Sequence, residues 1–129
     1  MNRSSQRQWI IKIIFQMDFN EESNIDEVLI NHELENEPFI RESVVSILEN
    51  QEQIDSLISD NLTSWTIDRL PKIEKAILRT SVNEFIIQKS VPVQVSINEA
   101  VEIAKQYSDQ DSYKFINGVL SAIARKHHG

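Results

Sequence analysis

Between Lys72 and about Gln88 the apolar residues Ile73, Ala76, Ile77, Leu78, Val82, Phe85, Ile86 and Ile87 fall on nearly every side of a helix. At about 100° per residue such a pattern leaves no broad wet face, so it predicts a central helix that neighbouring helices must cover. Only Glu74, Lys75 and Arg79 mark a wet edge. Pro71 sets where this helix opens, because proline disfavours helical geometry at the residue before it. Trp65–Pro71 therefore reads as a short connection or a single helical turn. Two glycines and three prolines are too few for a sheet protein that must turn every ten residues or so. The chain is expected to be all-α, a single domain over residues 1–129.

The flanking helices follow from the same periodicity. Ser4 or Ser5 is placed to cap a first helix running to about Met17, with Trp9, Ile10, Ile13, Ile14 and Met17 as its buried stripe. Ile11 and Phe15 lie outside that stripe and next to each other, which fits either a helix buried all round or a partner-binding patch. Ile25, Val28, Leu29 and Leu34 suffice for a short amphipathic helix behind Asn24 or Asp26. Pro38 suits the first turn of another, continued by Ile40, Val44, Ile47 and Leu48 to Asn50. Ile54, Leu57, Ile58 and Leu62 extend the pattern after a break, as antiparallel or kinked helices. Val91–Val95 reads as an extended connector around Pro92, and Ser96-Ile97-Asn98-Glu99 as a capping box opening a helix to Tyr107-Ser108. Asp111 or Ser112 then caps a last helix with Phe115, Ile116, Val119, Leu120 and Ile123 as its stripe, where Gly118 would permit close helix approach.

Several function classes fall away. The chain has no cysteine, which excludes thiolate chemistry and disulfides. No glycine-rich elbow or phosphate loop is present for an acyl- or phosphoryl-transfer site. The histidines are His32, His127 and His128, and the adjacent pair points about 100° apart on a helix, unsuited to chelating together. Glu99 and Glu102 are three apart, with capping and surface charge as their default roles. No enzymatic activity, metal or cofactor is expected. No apolar run reaches the ~20 residues of a membrane span, and Met1–Arg7 lacks the apolar core of a signal peptide, so a cytoplasmic protein is expected.

The formal charge of −7 opposes nonspecific nucleic-acid binding, but it is unevenly spread. Residues 1–17 hold Arg3, Arg7 and Lys12 without an acid, residues 18–60 hold thirteen acids against Arg41, and residues 61–129 hold nine bases against seven acids. An acidic lobe and a neutral to basic lobe can face different partners. Asn98 and Asn117 sit inside helical apolar patterns, where Asn costs about 0.5–1 kcal/mol relative to Ala. Asn98 is expected to hydrogen-bond across two packed helices. Asn117 shares the start of the last helix with Tyr113 and Lys114, where free backbone N–H groups, a cation and an aromatic suit a phosphate and a base.

Four ordered blocks carry a family resemblance. Arg69-Leu70-Pro71-Lys72-Ile73-Glu74-Lys75-Ala76-Ile77-Leu78-Arg79, then Val82-Asn83-Glu84, then Pro92 with Ile97-Asn98-Glu99-Ala100-Val101-Glu102-Ile103-Ala104-Lys105, and finally Lys114-Phe115-Ile116-Asn117-Gly118-Val119-Leu120 strongly resemble the bacterial antitermination factors of the NusB family. The resemblance is dense from Trp65 to Ile123, and the chain length matches the free-standing factor. It implies a two-lobed helical bundle of about seven helices without enzymatic activity. It also implies binding of boxA RNA in ribosomal RNA leader transcripts together with the ribosomal protein NusE, and, indirectly, action on the RNA polymerase elongation complex so that it reads through terminators.

Residue by residue, the resemblance assigns RNA contacts to Arg3, Arg7, Asp68, Arg69, Lys72, Tyr113 and Lys114, with Asn117 beside them. It assigns the NusE-facing surface to Phe15, Glu74, Ile11 and Ile77. The N-terminal arm, which the resemblance places among the RNA contacts, departs from the arginine-rich family pattern, offering only Arg3 and Arg7 with Lys12 on the helix. So few bases predict weak RNA binding by the isolated protein, supported by the partner. Two alternatives remain at this point: a protein interaction module with little RNA affinity, and a homodimer paired through Ile11 and Phe15.

Overall fold

The computed structural model describes residues 1–64, 66–109 and 111–127. Trp65, where the expected connection begins, and His128 of the histidine pair lie outside the described residues. Seven α-helices are present among those described: α1 (Arg3–Phe19), α2 (Ile25–Asn31), α3 (Pro38–Glu49), α4 (Gln51–Ser59), α5 (Lys72–Val82), α6 (Val93–Tyr107) and α7 (Ser112–His127). A 3-10 turn, Ile67–Arg69, precedes α5, and a π-helical turn, Asn83–Ile87, continues it.

α5 is the shared element. α1 packs against α5 and α3, with α2 on α3, while α4, α6 and α7 gather on the other sides of α5. These two lobes meet in one continuous apolar core that runs from Ile10 to Ile123. Every residue from Glu74 to Phe85 is buried, as the all-round apolar pattern requires. Ile77 and Leu78 are fully enclosed, and truncating either to Ala would cost about 2–5 kcal/mol through lost transfer energy and a cavity.

The supposed wet edge of α5 is not wet. Glu74, Lys75 and Arg79 are all buried and partnered from other helices. Ser112 Oγ donates to Glu74, Asp18 lies 3.4 Å from Lys75 Nζ, and Arg79 donates twice to Asp55, at 2.8 and 2.9 Å. Burial disfavours the Asp18 charge, but the hydrogen bond from Lys72 and the charges of Lys75 and Arg79 outweigh it. The Asp18 carboxyl is thereby held below its ordinary value.

Local capping differs in two places from the expected signals. Asn2, not Ser4 or Ser5, caps α1, its Oδ1 accepting the Ser5 N–H at 2.8 Å. α6 opens behind Pro92 at Val93, so the connector is already helical there and the capping box does not form. Ser96 is instead buried, its hydroxyl 2.7 Å from that of Ser81 on α5. The two halves of the 38–59 pattern are helices kinked at Asn50.

The π turn is held from two directions. Gln88 N–H donates to Asn83 O at 2.8 Å, five residues back, and Asn83 Nδ2 donates to Gln88 Oε1 at 3.0 Å. From α3, Ser46 Oγ donates to Asn83 Oδ1 at 2.6 Å. Lys89 then closes the helix with φ 53°, a left-handed conformation that costs a residue with a Cβ about 1–2 kcal/mol. Ser90 N–H completes this cap on Glu84 O at 3.0 Å.

Candidate nucleic-acid interface

α1 and α6 lie side by side. Ser4 Oγ donates to the Glu99 carboxylate at 3.0–3.1 Å, and two turns further on Lys12 Nζ sits 5.9 Å from the Tyr107 ring and 5.0 Å from that of Trp9. At the end of α6 the pattern continues onto α7, where Lys105 Nζ stands 5.0 Å and Lys114 Nζ 5.9 Å from the Tyr113 ring. Lys12, Lys105, Tyr107 and Lys114 are exposed, and Tyr113 is half-buried. Cations alternate with aromatic rings along this strip, the combination that holds phosphates and stacks bases.

Of the residues the resemblance assigned to RNA, Tyr113, Lys114 and Asn117 lie together on the first turns of α7, with Asn117 exposed. Arg69 lines a cleft of about 380 Å³ together with Leu70, Pro71, Glu74 and, from α7, Phe115, so the turn before α5 and the start of α7 do converge. Asp68 and Arg69 are exposed on that turn. Lys72 is half-buried and engaged, 3.3 Å from Asp18 Oδ2 and 5.0 Å from the Phe19 ring. Arg3 is exposed at the far end of α1, its guanidinium 3.7 Å above the Phe39 ring and donating to Gln6 at 2.6 Å.

Arg7 is placed otherwise than expected. Its guanidinium is buried and donates two hydrogen bonds of 2.8 Å to the equally buried Glu84, with Glu99 3.6 Å away. Burial works against the Arg7 charge, yet the hydrogen bonds and attraction from Glu84 and Glu99 outweigh it and hold the guanidinium protonated. A side chain so engaged offers no donor to a phosphate, so Arg7 ties α1 to the end of α5.

The assigned partner surface changes in the same way. Ile11 and Ile77 are core residues, 2% and 0% exposed, and Glu74 is buried against Ser112. Of those four residues, Phe15 alone reaches the surface, half-buried and edge-on to Phe19 at 5.0 Å. Phe19 is 62% exposed and forms, with Phe15 and Lys72, a patch that replaces the supposed Ile11–Phe15 pairing face. Phe19 falls at the helix end beyond the expected stripe, which is why periodicity did not mark it.

Asn98 and Gly118 are placed otherwise than expected. Asn98 is exposed and accepts from Gln94 Nε2 on its own helix at 2.9 Å, so it does not lock α6 to α7. Gly118 is exposed, and a Cβ there would meet nothing within 4 Å, so it serves no close helix approach. Glu99 holds the first turn of α1 through Ser4, whereas Glu102 pairs with Lys105 at 3.4 Å. His32 Nε2 donates to Gln16 Oε1 at 3.0 Å, and its ring lies 5.1 Å from that of Trp9.

Sequence reading missed Lys105 and Tyr107 and left Lys12 outside the site. The available signal was the pairing of base and aromatic in Lys105-Gln106-Tyr107 at a helix end; what brings Lys12 to it is the packing of α1 on α6.

Comparison with known proteins gives a consistent result. The NusB family matches residues 4–125. The transcription antitermination protein NusB of Bacillus pumilus (strain SAFR-032) is 42% identical over 127 residues, covering 95% of this chain and 95% of that protein. Among solved structures, T. maritima NusB superposes with a TM-score of 0.89 at 32% identity, covering 100% of this chain and 94% of that one. A NusB chain in a crystal structure of the antitermination factors NusB and NusE with dsRNA gives 0.85 at 30% identity, covering 96% of each chain.

Proposed function

This chain belongs to the NusB family, and on that premise we propose that it binds RNA through the strip from Lys12 to Lys114 and acts with NusE as a transcription antitermination factor. Its RNA is the boxA element of ribosomal RNA leader transcripts, and the complex acts on the elongating RNA polymerase to promote read-through. The protein performs no catalytic step and works in the cytoplasm. The observation that carries the reading is the alternation of cations and rings on α1, α6 and α7, on a chain whose net charge is −7.

Tyr107 and Tyr113 supply stacking faces for unstacked bases, while Arg3, Lys12, Arg69, Lys105 and Lys114 contact phosphates. Asn117 reads a base edge one turn from Tyr113. With Arg7 committed to Glu84, few bases remain for the backbone, so affinity of the isolated protein is low. NusE docks on the Phe15–Phe19–Lys72 patch, adds its own charges and makes the second RNA contact effectively intramolecular.

The test is a salt-dependent titration with single-stranded boxA RNA, its duplex and a scrambled strand, each with and without NusE. We expect preference for boxA that strengthens with NusE, and a log–log salt slope of about −3 to −4, from about 0.7 per phosphate contact on a single strand. Lys114→Ala lowers that slope by about 0.7 and leaves NusE association intact. Equal binding of boxA and scrambled RNA in both settings overturns the proposal.

A further inference from the structure

Beyond the end of α5 opposite Lys72, about 20 Å along the helix and its π turn at about 1.5 Å per residue, lies a separate cleft of about 780 Å³. Its apolar floor is formed by Leu57 of α4, Phe85 and Ile86 of the π turn, and Val93 of α6, and its rim carries Lys89 and His127. Among the described residues no acidic side chain lines it. Among the described residues neither Lys89 nor His127 forms an ion pair, a state they share with Arg3, Lys12, Arg69, Arg125 and Lys126. Arg125 and Lys126, exposed in the last turn of α7, add positive charge nearby. Those two complement the negative end of their own helix. Lys89 stands on another element and has no such partner.

The local backbone is built to present this cleft. Asn83, wholly buried, locks the π turn to Gln88 and to Ser46 of α3, and that turn supplies Phe85 and Ile86. The left-handed cap at Lys89 follows directly. We propose that the cleft docks an acidic peptide segment of a protein partner, with an aliphatic side chain on the apolar floor and a carboxylate against Lys89. The charge of Lys89 on an acidic protein supplies the charge complementarity. A nucleic acid fits less well, because Phe85 is 2% exposed and offers no face for a base to stack on, which leaves, among the described lining residues, only the His127 ring at the rim.

The experiment is fluorescence anisotropy of the full chain with a labelled dodecapeptide carrying a Leu-Ile pair between four glutamates. A lysine counterpart of that peptide and a single-stranded RNA dodecamer serve as competitors. Saturable binding of the acidic peptide is expected, weakened about tenfold or more by Lys89→Glu and kept within about twofold by Lys89→Arg. Backbone amide shifts of Phe85, Ile86 and Val93 on titration locate it. The proposal is overturned by equal binding of the lysine peptide, by no saturation up to about 1 mM, or by RNA displacing the peptide from a Lys89-dependent site. It is equally overturned if Lys89→Glu, with its thermal transition unchanged, binds the peptide as the parent does.

Discussion

Replacing Arg7 by Ala separates two roles that a basic residue near the N-terminus can have. In the structure its guanidinium and the Glu84 carboxylate are both at least 94% enclosed, joined by two 2.8 Å hydrogen bonds. Removing one partner of such a pair strands the other charge in the core, at a cost of about 3–5 kcal/mol. For a domain of this size each kcal/mol moves the midpoint by about 3–5 °C, so thermal unfolding followed by circular dichroism should fall by about 10–20 °C. The paired replacement Arg7→Met with Glu84→Leu should recover most of that loss, because the desolvation of both charges disappears with them. Meanwhile the salt slope of RNA binding, measured on folded protein, should not change. A midpoint within about 2 °C of the parent, together with a slope reduced by about 0.7, would refute the reasoning and return Arg7 to the phosphates.

Asp18 gives the acid response its shape. Its folded carboxyl lies below the ordinary value of 3.8, so the stability it contributes is present above that pH and is lost as pH falls through the lower folded value. Asp18→Asn should therefore cost about 1.5–3 kcal/mol at neutral pH and flatten the acid limb of a denaturant-midpoint series below about pH 4; an unchanged limb would sink this assignment. Tyr107→Ala should weaken RNA binding by about 1–3 kcal/mol without shifting the thermal midpoint, because the ring is 46% exposed. Equal affinity of that variant and the parent would remove α6 from the RNA path.

The helices were legible because apolar spacing is a local property. α5 announced its central position through Ile73 to Ile87, and Pro38 and Asn24 marked helix starts that the structure keeps. Charges were misread for the opposite reason. Lys75 and Arg79 look solvated within their own helix, and only Asp18 and Asp55, from distant helices, make them core residues. Arg7 and Glu84, 77 residues apart, show the same limit. Ser96 and Glu99 have the spacing of a capping box, but Pro92 starts the helix earlier and leaves Ser96 to Ser81. At the candidate site, Tyr113, Lys114 and Asn117 were visible as neighbours in sequence. Lys12 and Tyr107 became neighbours only when α1 lay on α6.

Because both lobes close on α5, the molecule has no seam along which one half can open while the other stays folded. Fraying at α2 or around the 3-10 turn breaks few buried contacts, whereas freeing an amide of α5 requires parting α1, α4, α6 and α7 together. The backbone of α5 thus reports the free energy of the whole molecule. The turn at Arg69 and the cap at Lys89 stand at the two ends of α5 and its π-helical continuation, so this rod sets the distance between them.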